Sequence, residues 1–193
     1  IVESINVITV SRESGSQGYE VAQKLSRTLG FDLFHNEILD AMVDVSKNSR
    51  KLIETLDERG MNIVDDVVSA LVHQHHLWPD EYTKLLLRIL GTVGKHGRAV
   101  IVGRGANFVL AGPSTLRVRL VAPLKTKRDY MQKKLGLNAE DAQKHVIRTD
   151  SNRSAFVRRY FNADVADPSN YDLILNTGVV DIDRAVQVIK CAL

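Results

Sequence analysis

Cysteine is nearly absent from this chain of 193 residues, which contains only Cys191. One cysteine cannot form an internal disulfide, and such a composition is typical of proteins in reducing compartments. Because Cys191 lies close to Val188, Ile189 and Leu193, we expect it to be a small buried apolar residue and not a reactive thiol.

Long apolar runs are also missing, since no stretch approaches the roughly 18 residues that a membrane-spanning helix needs. The first apolar stretch contains Glu3 and Asn6, which is not typical of a secretory signal. We therefore expect a cytoplasmic protein that does not bind membranes. The chain starts at Ile1 and not at Met, which is compatible with further residues upstream.

Strong charge of one sign is absent as well. The net charge is +3 and the isoelectric point is about 9.0. This mildly basic balance suits small anionic partners, but the sequence lacks the basic face or stripe of a nucleic-acid-binding surface. We expect a nucleotide or a small phosphorylated compound as ligand and no nucleic acid.

One lysine is missing from a segment whose pattern otherwise suits phosphate binding. Residues 7–10 (VITV) are typical of a buried strand, residues 11–18 form a turn of small residues, and a helix pattern follows. Such a turn aims backbone N–H groups at an anion, and the helix N-terminus favours negative charge. The pattern G-x-x-x-x-G-K-[ST] includes a lysine that reaches the phosphates, and this segment has none. Two interpretations stay open, a variant phosphate-binding loop and an ordinary tight turn.

Strand and helix patterns alternate along the chain. We expect strands over residues 5–10, 31–34, 99–102, 116–122 and 171–175, and helices over 18–29, 36–46, 63–77, a stretch that ends near 97, 124–135, 138–161 and 181–193. Strands followed by helices predict βαβ units, a parallel sheet with helices on both faces, and a single domain over residues 1–193.

A second anion-binding candidate follows the apolar strand at residues 99–102. Ligands of such sheets bind at the carboxyl ends of the strands. Arg104 stands there between two glycines, and its planar guanidinium suits bidentate contact with a phosphate. We expect Gly103 and Arg104 to bind an anionic acceptor. The alternative is a structural arginine that caps a helix or pairs with a carboxylate.

The helix pattern over residues 138–161 is rich in arginine. Its basic residues are dense enough for a lid that closes over phosphates and neutralises a phosphoryl group in transfer, and they are Lys144, Arg148, Arg153, Arg158 and Arg159. The alternative is a solvated helix face with weak local ion pairs.

Four segments together with this helix resemble the cytidylate kinase-like family of P-loop proteins. They are ITVSRESGSQG (residues 8–18), VIVGRGANFVL (100–110), LRVRLVAP (116–123) and YDLILNTG (171–178), with the helix matching around Asp150 and Arg153. The resemblance implies a P-loop NTPase-like α/β fold, which is a three-layer sandwich with a five-stranded parallel sheet. It also implies a helical acceptor-side insertion over residues 36–97 and a lid over 138–161.

The resemblance further implies an ATP site at the loop, an acceptor site at Gly103 and Arg104, and a mobile lid carrying Arg148 and Arg153. The residues that we expect at the phosphates are Arg12, Ser14, Gly15, Ser16, Gln17, Gly18 and Tyr19. The chain departs from the pattern, since Gly18 falls where cytidylate kinases have the lysine and Tyr19 where kinase-like members typically have an arginine. Glu20 adds a carboxylate that is expected to weaken phosphate binding, and Arg12 is a candidate substitute cation.

Two functions follow as hypotheses. The first is ATP-dependent phosphoryl transfer, with Mg²⁺, to a CMP-like nucleoside monophosphate or another small acceptor. The second is a catalytically silent nucleotide-sensing or interaction module, which the missing lysine favours. A hydrolase on a related fold lacks a recognisable nucleophile.

Three further groups of residues have two interpretations each. The apolar residues Val67, Leu71, Leu85, Leu86, Ile89 and Leu90 form either a homodimer face or ordinary core, and core packing is the simpler interpretation. The histidines at positions 73, 75 and 76 lack the partners of a tetrahedral metal site, so no metal ligands are predicted. His35 is a candidate for lining the acceptor pocket.

Overall fold

A sheet of five parallel strands forms the centre of the protein, as described for residues 4–35 and 81–193 by a computed structural model. The strands are β1 (Val7–Arg12), β2 (Asp32–Phe34), β3 (Ala99–Val102), β4 (Thr115–Val121) and β5 (Leu173–Asn176). Their order in the sheet is β2-β3-β1-β4-β5, which places β1 in the middle. The predicted parallel sheet is confirmed, and each predicted strand overlaps an observed one.

Six α-helices accompany the sheet in the part of the chain that the structure describes. They are α1 (Gly18–Leu29), α2 (Glu81–His96), α3 (Ala106–Val109), α4 (Leu124–Leu135), α5 (Ala139–Phe161) and α6 (Ile182–Cys191). Within those ranges, none is long and apolar enough to cross a membrane. The short helix α3 was not predicted, and the helices expected over residues 36–46 and 63–77 lie outside the described residues.

The helices cover both faces of the sheet. Successive side chains of a strand point to opposite faces, so Ile8 and Val10 of β1 pack with α1 and α6 while Val7 packs with α2 and α3. Burial on both faces explains why the central strands are continuous apolar runs. The result is the three-layer arrangement expected from the sequence.

Two expectations about apolar residues can be compared with this core. Leu86, Ile89 and Leu90 of α2 are almost completely buried against the sheet, so these residues are core and not an open dimer face. The expectation that Cys191 is buried is wrong, because its side chain is exposed at the end of α6. The buried side of α6 ends with Ile189, and two further residues rotate the chain by about 200° away from it.

Candidate functional site

The turn between β1 and α1 has a backbone suited to holding an anion. Gly15 and Gln17 adopt left-handed conformations, with φ angles of 80° and 56°. Such conformations turn successive backbone N–H groups towards one side, and the first turn of a helix adds N–H groups without intrahelical partners. The turn is also packed tightly, since a Cβ atom on Gly15 would lie 2.6 Å from the backbone oxygen of Lys127 in α4.

Arg12 occupies the space that a side chain at position 18 would need. A Cβ atom on Gly18 would lie 2.5 Å from Cβ of Arg12, and a Cβ atom on Gly103 would lie 2.2 Å from Arg12 Nη1. The Arg12 side chain therefore runs from the start of α1 to the turn after β3. The lysine of the usual loop pattern has no room here, and a guanidinium group passes through the site in its place.

Two cavities meet around Arg12. The first, which we name the loop cavity, has a volume of about 430 Å³, and the second, the Arg104 cavity, about 350 Å³. The loop cavity is lined by Arg12, Glu13, Ser14, Gly15, Gln17, Gly18, Tyr19, Glu20, His35, Tyr130, Met131, Lys134, His145, Thr149 and Arg153. The Arg104 cavity is lined by Ser11, Arg12, Gly103, Arg104, Gly105, Asn107, Thr149, Asn152, Arg153, Phe156, Val157 and Val165. Arg12, Thr149 and Arg153 line both cavities, so α5 forms part of a shared wall.

Most of the residues that the sequence selected come together at these cavities. The loop residues line the loop cavity except for Ser16, which is completely buried and donates a hydrogen bond from its hydroxyl to the Glu13 backbone oxygen at 2.9 Å. Gly103 and Arg104 line the second cavity. Arg148 is exposed and lines neither, whereas Arg153 lies between the two.

The guanidinium groups around this wall repel one another. Burial, together with the charges of Arg153 and Arg104, lowers the pKa of Arg12 to about 9, while the charge of Asp150 opposes this shift. Burial also lowers the pKa of Arg153. The Arg104 guanidinium lies 5.5 Å from the centre of the Phe156 ring. A bound anion would relieve the repulsion and favour the charged forms, so this wall is suited to phosphate groups.

A buried lysine that the sequence analysis missed lies beneath the loop. Lys127 of α4 is 8% exposed, and its Nζ donates to Glu13 Oε2 at 2.9 Å and to Asp150 Oδ2 at 3.0 Å. The other oxygen of Asp150 accepts a hydrogen bond from the Ser14 backbone N–H at 2.6 Å. Burial disfavours the charged form of Lys127, but the hydrogen bonds that it donates to Glu13 and Asp150 outweigh this effect, so its pKa is raised. These contacts join the loop, α4 and α5.

Glu20 is not an isolated carboxylate facing the loop. It accepts hydrogen bonds from the Tyr130 hydroxyl and from Lys134 Nζ, the latter at 2.7 Å. Burial raises its pKa, but the bonds from Lys134 and Tyr130 prevail, so that the pKa is lowered overall. The repulsion expected between this carboxylate and a phosphate is therefore reduced by a neighbouring cation.

His35 lies in the loop cavity and not in the Arg104 cavity. Its ring meets that of Tyr19 edge-on, with 5.4 Å between the ring centres. The expectation that His35 lines the acceptor side is thus not supported by its position among the described residues.

The described residues do not offer a ready-made metal site. Residues 4–35 and 81–193 contain no group of three or more His, Cys, Asp or Glu side chains placed to hold an ion. Of the two carboxylates in the loop cavity, Glu13 is bonded to Lys127 and to the Ala122 N–H, and Glu20 to Tyr130 and Lys134. The protein groups alone do not fit a dedicated Mg²⁺ site. The histidines at positions 73, 75 and 76 lie outside the described residues.

The sheet order, the loop and the lid-like helix define a P-loop NTPase-like α/β protein. A structure of an uncharacterized protein from Eubacterium ventriosum has a TM-score of 0.75 at 23% identity and covers 98% of both chains. Shikimate kinase from Bacteroides thetaiotaomicron has the same fold, with a TM-score of 0.53 at 14% identity over 96% of this chain and 97% of that one.

The sequence places the chain within this fold class. It belongs to the cytidylate kinase-like family, whose model matches residues 7–179. The cytidylate kinase of Thermococcus kodakarensis is similar, with 31% identity over 188 residues that cover 97% of this chain and 87% of that protein. The resemblance seen in the sequence motifs is confirmed.

Proposed function

We propose that the protein binds a nucleoside triphosphate such as ATP in the loop cavity and transfers its terminal phosphoryl group to an acceptor in the Arg104 cavity. The observation that carries this proposal is the wall shared by the two cavities, where Arg12 and Arg153 line both. Membership of the cytidylate kinase-like family supports the same reaction class.

Phosphoryl transfer depends mainly on positioning the phosphates and neutralising their charge. A donor held by the backbone N–H groups of Gly15, Gln17 and Gly18 would direct its terminal phosphate towards the shared wall. Arg153 of α5 would neutralise the group in transfer, and Arg12 would contact it from the sheet side. Arg148 lies outside both cavities, so the proposal assigns the catalytic role to Arg153.

The Arg104 cavity suits an acceptor that carries an anionic group and neutral hydrogen-bonding groups. Its described lining residues include no carboxylate, whereas Ser11, Asn107 and Asn152 supply hydroxyl and amide groups. A monophosphate acceptor needs no general base, because its attacking oxygen is already ionised.

A CMP-like acceptor is the finer part of the proposal and is supported by the name of the Thermococcus kodakarensis relative. Cytidylate kinases have an aspartate where this chain has Gly105. That glycine has a φ of 70°, and a Cβ atom on it would lie 2.0 Å from the Phe161 ring, so the position excludes any side chain. Recognition of the base would therefore depend on other residues.

We propose that Mg²⁺ binds together with the nucleotide. In many kinases, Mg²⁺ is held largely by substrate phosphates and water, and this suits a site whose carboxylates already have cationic partners. We therefore treat the ion as a separate variable in the test.

A silent nucleotide-sensing module remains the second candidate. The observation that favours it is the hydrogen bond from the Ser14 N–H to Asp150, which uses a loop group that a phosphate would need. Binding without turnover would distinguish this module from an enzyme.

The first experiment measures the melting temperature with ATP, CTP, CMP, dCMP and AMP, each with and without Mg²⁺, and then tests stabilising pairs for ADP production. We expect stabilisation by ATP and by one monophosphate, followed by turnover of that pair. Stabilisation without ADP production would favour the sensing module. If no nucleotide stabilises the protein, both nucleotide hypotheses are wrong.

The second experiment separates the two cavities by the variant Arg104→Ala. Loss of a charged hydrogen bond of about 1.5–3 kcal/mol should weaken acceptor binding by about 10- to 100-fold and leave ATP affinity within about twofold. Arg184→Ala is the matched control, because it removes the same charge from the exposed side of α6. Isothermal titration with ATP and with the monophosphate measures both affinities. Unchanged monophosphate affinity would remove Arg104 from the acceptor site.

A further inference from the structure

The Asp150 carboxylate accepts hydrogen bonds from two groups near the loop. Both are of a type that binds phosphate oxygens in other proteins. Its Oδ1 accepts from the Ser14 backbone N–H at 2.6 Å, and its Oδ2 accepts from Lys127 Nζ at 3.0 Å. One group belongs to a turn with left-handed residues, and the other is an ammonium group that is 8% exposed. A carboxylate held by a backbone N–H and an ammonium occupies the kind of position that a phosphate oxygen takes in a phosphate loop.

We propose that the Ser14 N–H and Lys127 Nζ form a phosphate subsite for which Asp150 and a polyphosphate ligand compete. The terminal phosphate of a polyphosphate ligand displaces the carboxylate from this subsite. Lys127, which comes from α4, thus supplies the ammonium group that the loop itself lacks. This inference rests on the proposed function, because it requires a polyphosphate in the loop cavity.

The other contacts of Lys127 keep the subsite in place when Asp150 leaves. Glu13 bonds Lys127 Nζ at 2.9 Å, and the same Glu13 oxygen accepts from the Ala122 backbone N–H at 3.1 Å. Lys127 would therefore remain fixed beside the loop with one carboxylate partner. The phosphate takes the place of the Asp150 carboxylate, and this exchange of anions forms no covalent bond.

The lid helix links this exchange to the shared wall. Asp150 and Arg153 are one turn apart on α5, and Arg153 Nη1 donates to the Arg12 backbone oxygen at 3.1 Å while lying 3.8 Å from Asp150 Oδ1. Once a phosphate replaces the carboxylate, the Arg153 guanidinium loses a carboxylate neighbour and gains the phosphate. The same helix thus carries both the group that leaves and the group that meets the ligand.

The test is the affinity for inorganic tripolyphosphate and for ATP, measured by isothermal titration at fixed ionic strength without Mg²⁺. Asp150→Asn removes the competing charge, and we expect it to bind tripolyphosphate about tenfold more tightly than the unmodified protein. Glu140→Gln is the matched control, because it removes the same charge from the exposed start of α5, and its affinity should stay within about twofold. Asp150→Ser provides a second variant in case Asp150→Asn does not fold, which thermal melts of each protein will show.

A double substitution tests the part played by Lys127. If Lys127 belongs to the subsite, the gain from Asp150→Asn disappears when Lys127→Met is added, and this coupling supports the proposal. A gain that persists without Lys127 overturns it, as does an Asp150→Asn protein that binds tripolyphosphate equally well or more weakly.

The outcomes also separate this inference from the proposed function. If the unmodified protein binds tripolyphosphate but Asp150→Asn shows no gain, the subsite is wrong while the proposed function stands. If tripolyphosphate binds only after Asp150→Asn, the subsite is supported. If neither tripolyphosphate nor ATP binds to any folded variant, the proposed function fails and the subsite with it.

Discussion

The two cavities differ in how their charges are balanced. Among the described residues, the two carboxylates that line the loop cavity have lysine partners, Glu13 with Lys127 and Glu20 with Lys134. The described lining residues of the Arg104 cavity include guanidinium groups and no carboxylate. A ligand in the loop cavity must therefore approach paired carboxylates, whereas an anion in the Arg104 cavity meets described side chains that are cationic or neutral.

We expect the largest effect on turnover from a substitution in the wall that both cavities share, because it changes the charge in both at once. Arg153→Ala should lower turnover by about 10²–10³-fold, since it removes a guanidinium group from the place where charge develops. Arg148→Ala is the matched control on the same helix, and we expect a change below about threefold because its exposed side chain lines neither cavity.

Steady-state kinetics with donor and acceptor varied in turn measure this effect, and titration of each ligand shows which cavity is affected. We expect Arg153→Ala to weaken both ligands. Equal losses in the Arg148 and Arg153 variants would contradict the assignment of the shared wall.

The second largest effect is expected on stability, from a substitution in the turn that lines the loop cavity. In Gly15→Ala, the new methyl group meets the Lys127 backbone oxygen at 2.6 Å, and the residue keeps a φ of 80° that disfavours a side chain. We expect a loss of about 3 kcal/mol in the free energy of unfolding, of which about 1–2 kcal/mol is the backbone cost.

Gly136→Ala isolates the backbone cost of that substitution. Gly136 has a similar φ of 67°, and a Cβ atom there would have nothing within 4 Å. Its loss should be only about 1 kcal/mol in urea titrations. If both glycine variants lose the same stability, the close packing of the loop on α4 does not matter.

The smallest effect concerns the paired carboxylate Glu20. Its pKa in the folded protein lies below the ordinary value of 4.5, so its bonds stabilise the fold above that pH, and the contribution is lost as pH falls through the folded pKa. Glu20→Gln should therefore reduce the free energy of unfolding by about 0.5–1 kcal/mol at pH 7, and this difference should shrink as the pH falls below 4.5.

Urea titrations of both proteins at several pH values between 3 and 7 test this dependence. A difference that stays constant over the whole range would show that the charge of Glu20 does not contribute.

Elements with a local stop or start signal could be predicted from the sequence almost to the residue. Helices α1 and α4 end before Gly30 and Gly136, and α5 begins after Asn138, whose side chain accepts from the Asp141 N–H at 2.9 Å. These signals depend only on backbone conformation and on neighbouring residues. Helix α3 has four residues, which is too short for a helical period to show.

The candidate site was predictable only in part, because some of its contacts come from distant segments. The loop and Arg104 follow strands, so the rule for parallel sheets indicated their place. Lys127 lies in a polar helix, where the pattern favours exposure, but its side chain is buried where it meets Glu13 of the loop and Asp150 of α5. The position of Arg12 likewise depends on β1 and β3 being neighbours in the sheet.

The close approach of Arg12 to Gly18 has an evolutionary consequence. A lysine introduced at position 18 would collide with Arg12, since even its Cβ atom would lie 2.5 Å from Arg12 Cβ. Loss of Arg12 by itself would leave the site without either cation. We therefore expect sign epistasis between the two positions, in which each single substitution is harmful and the paired substitution is tolerated.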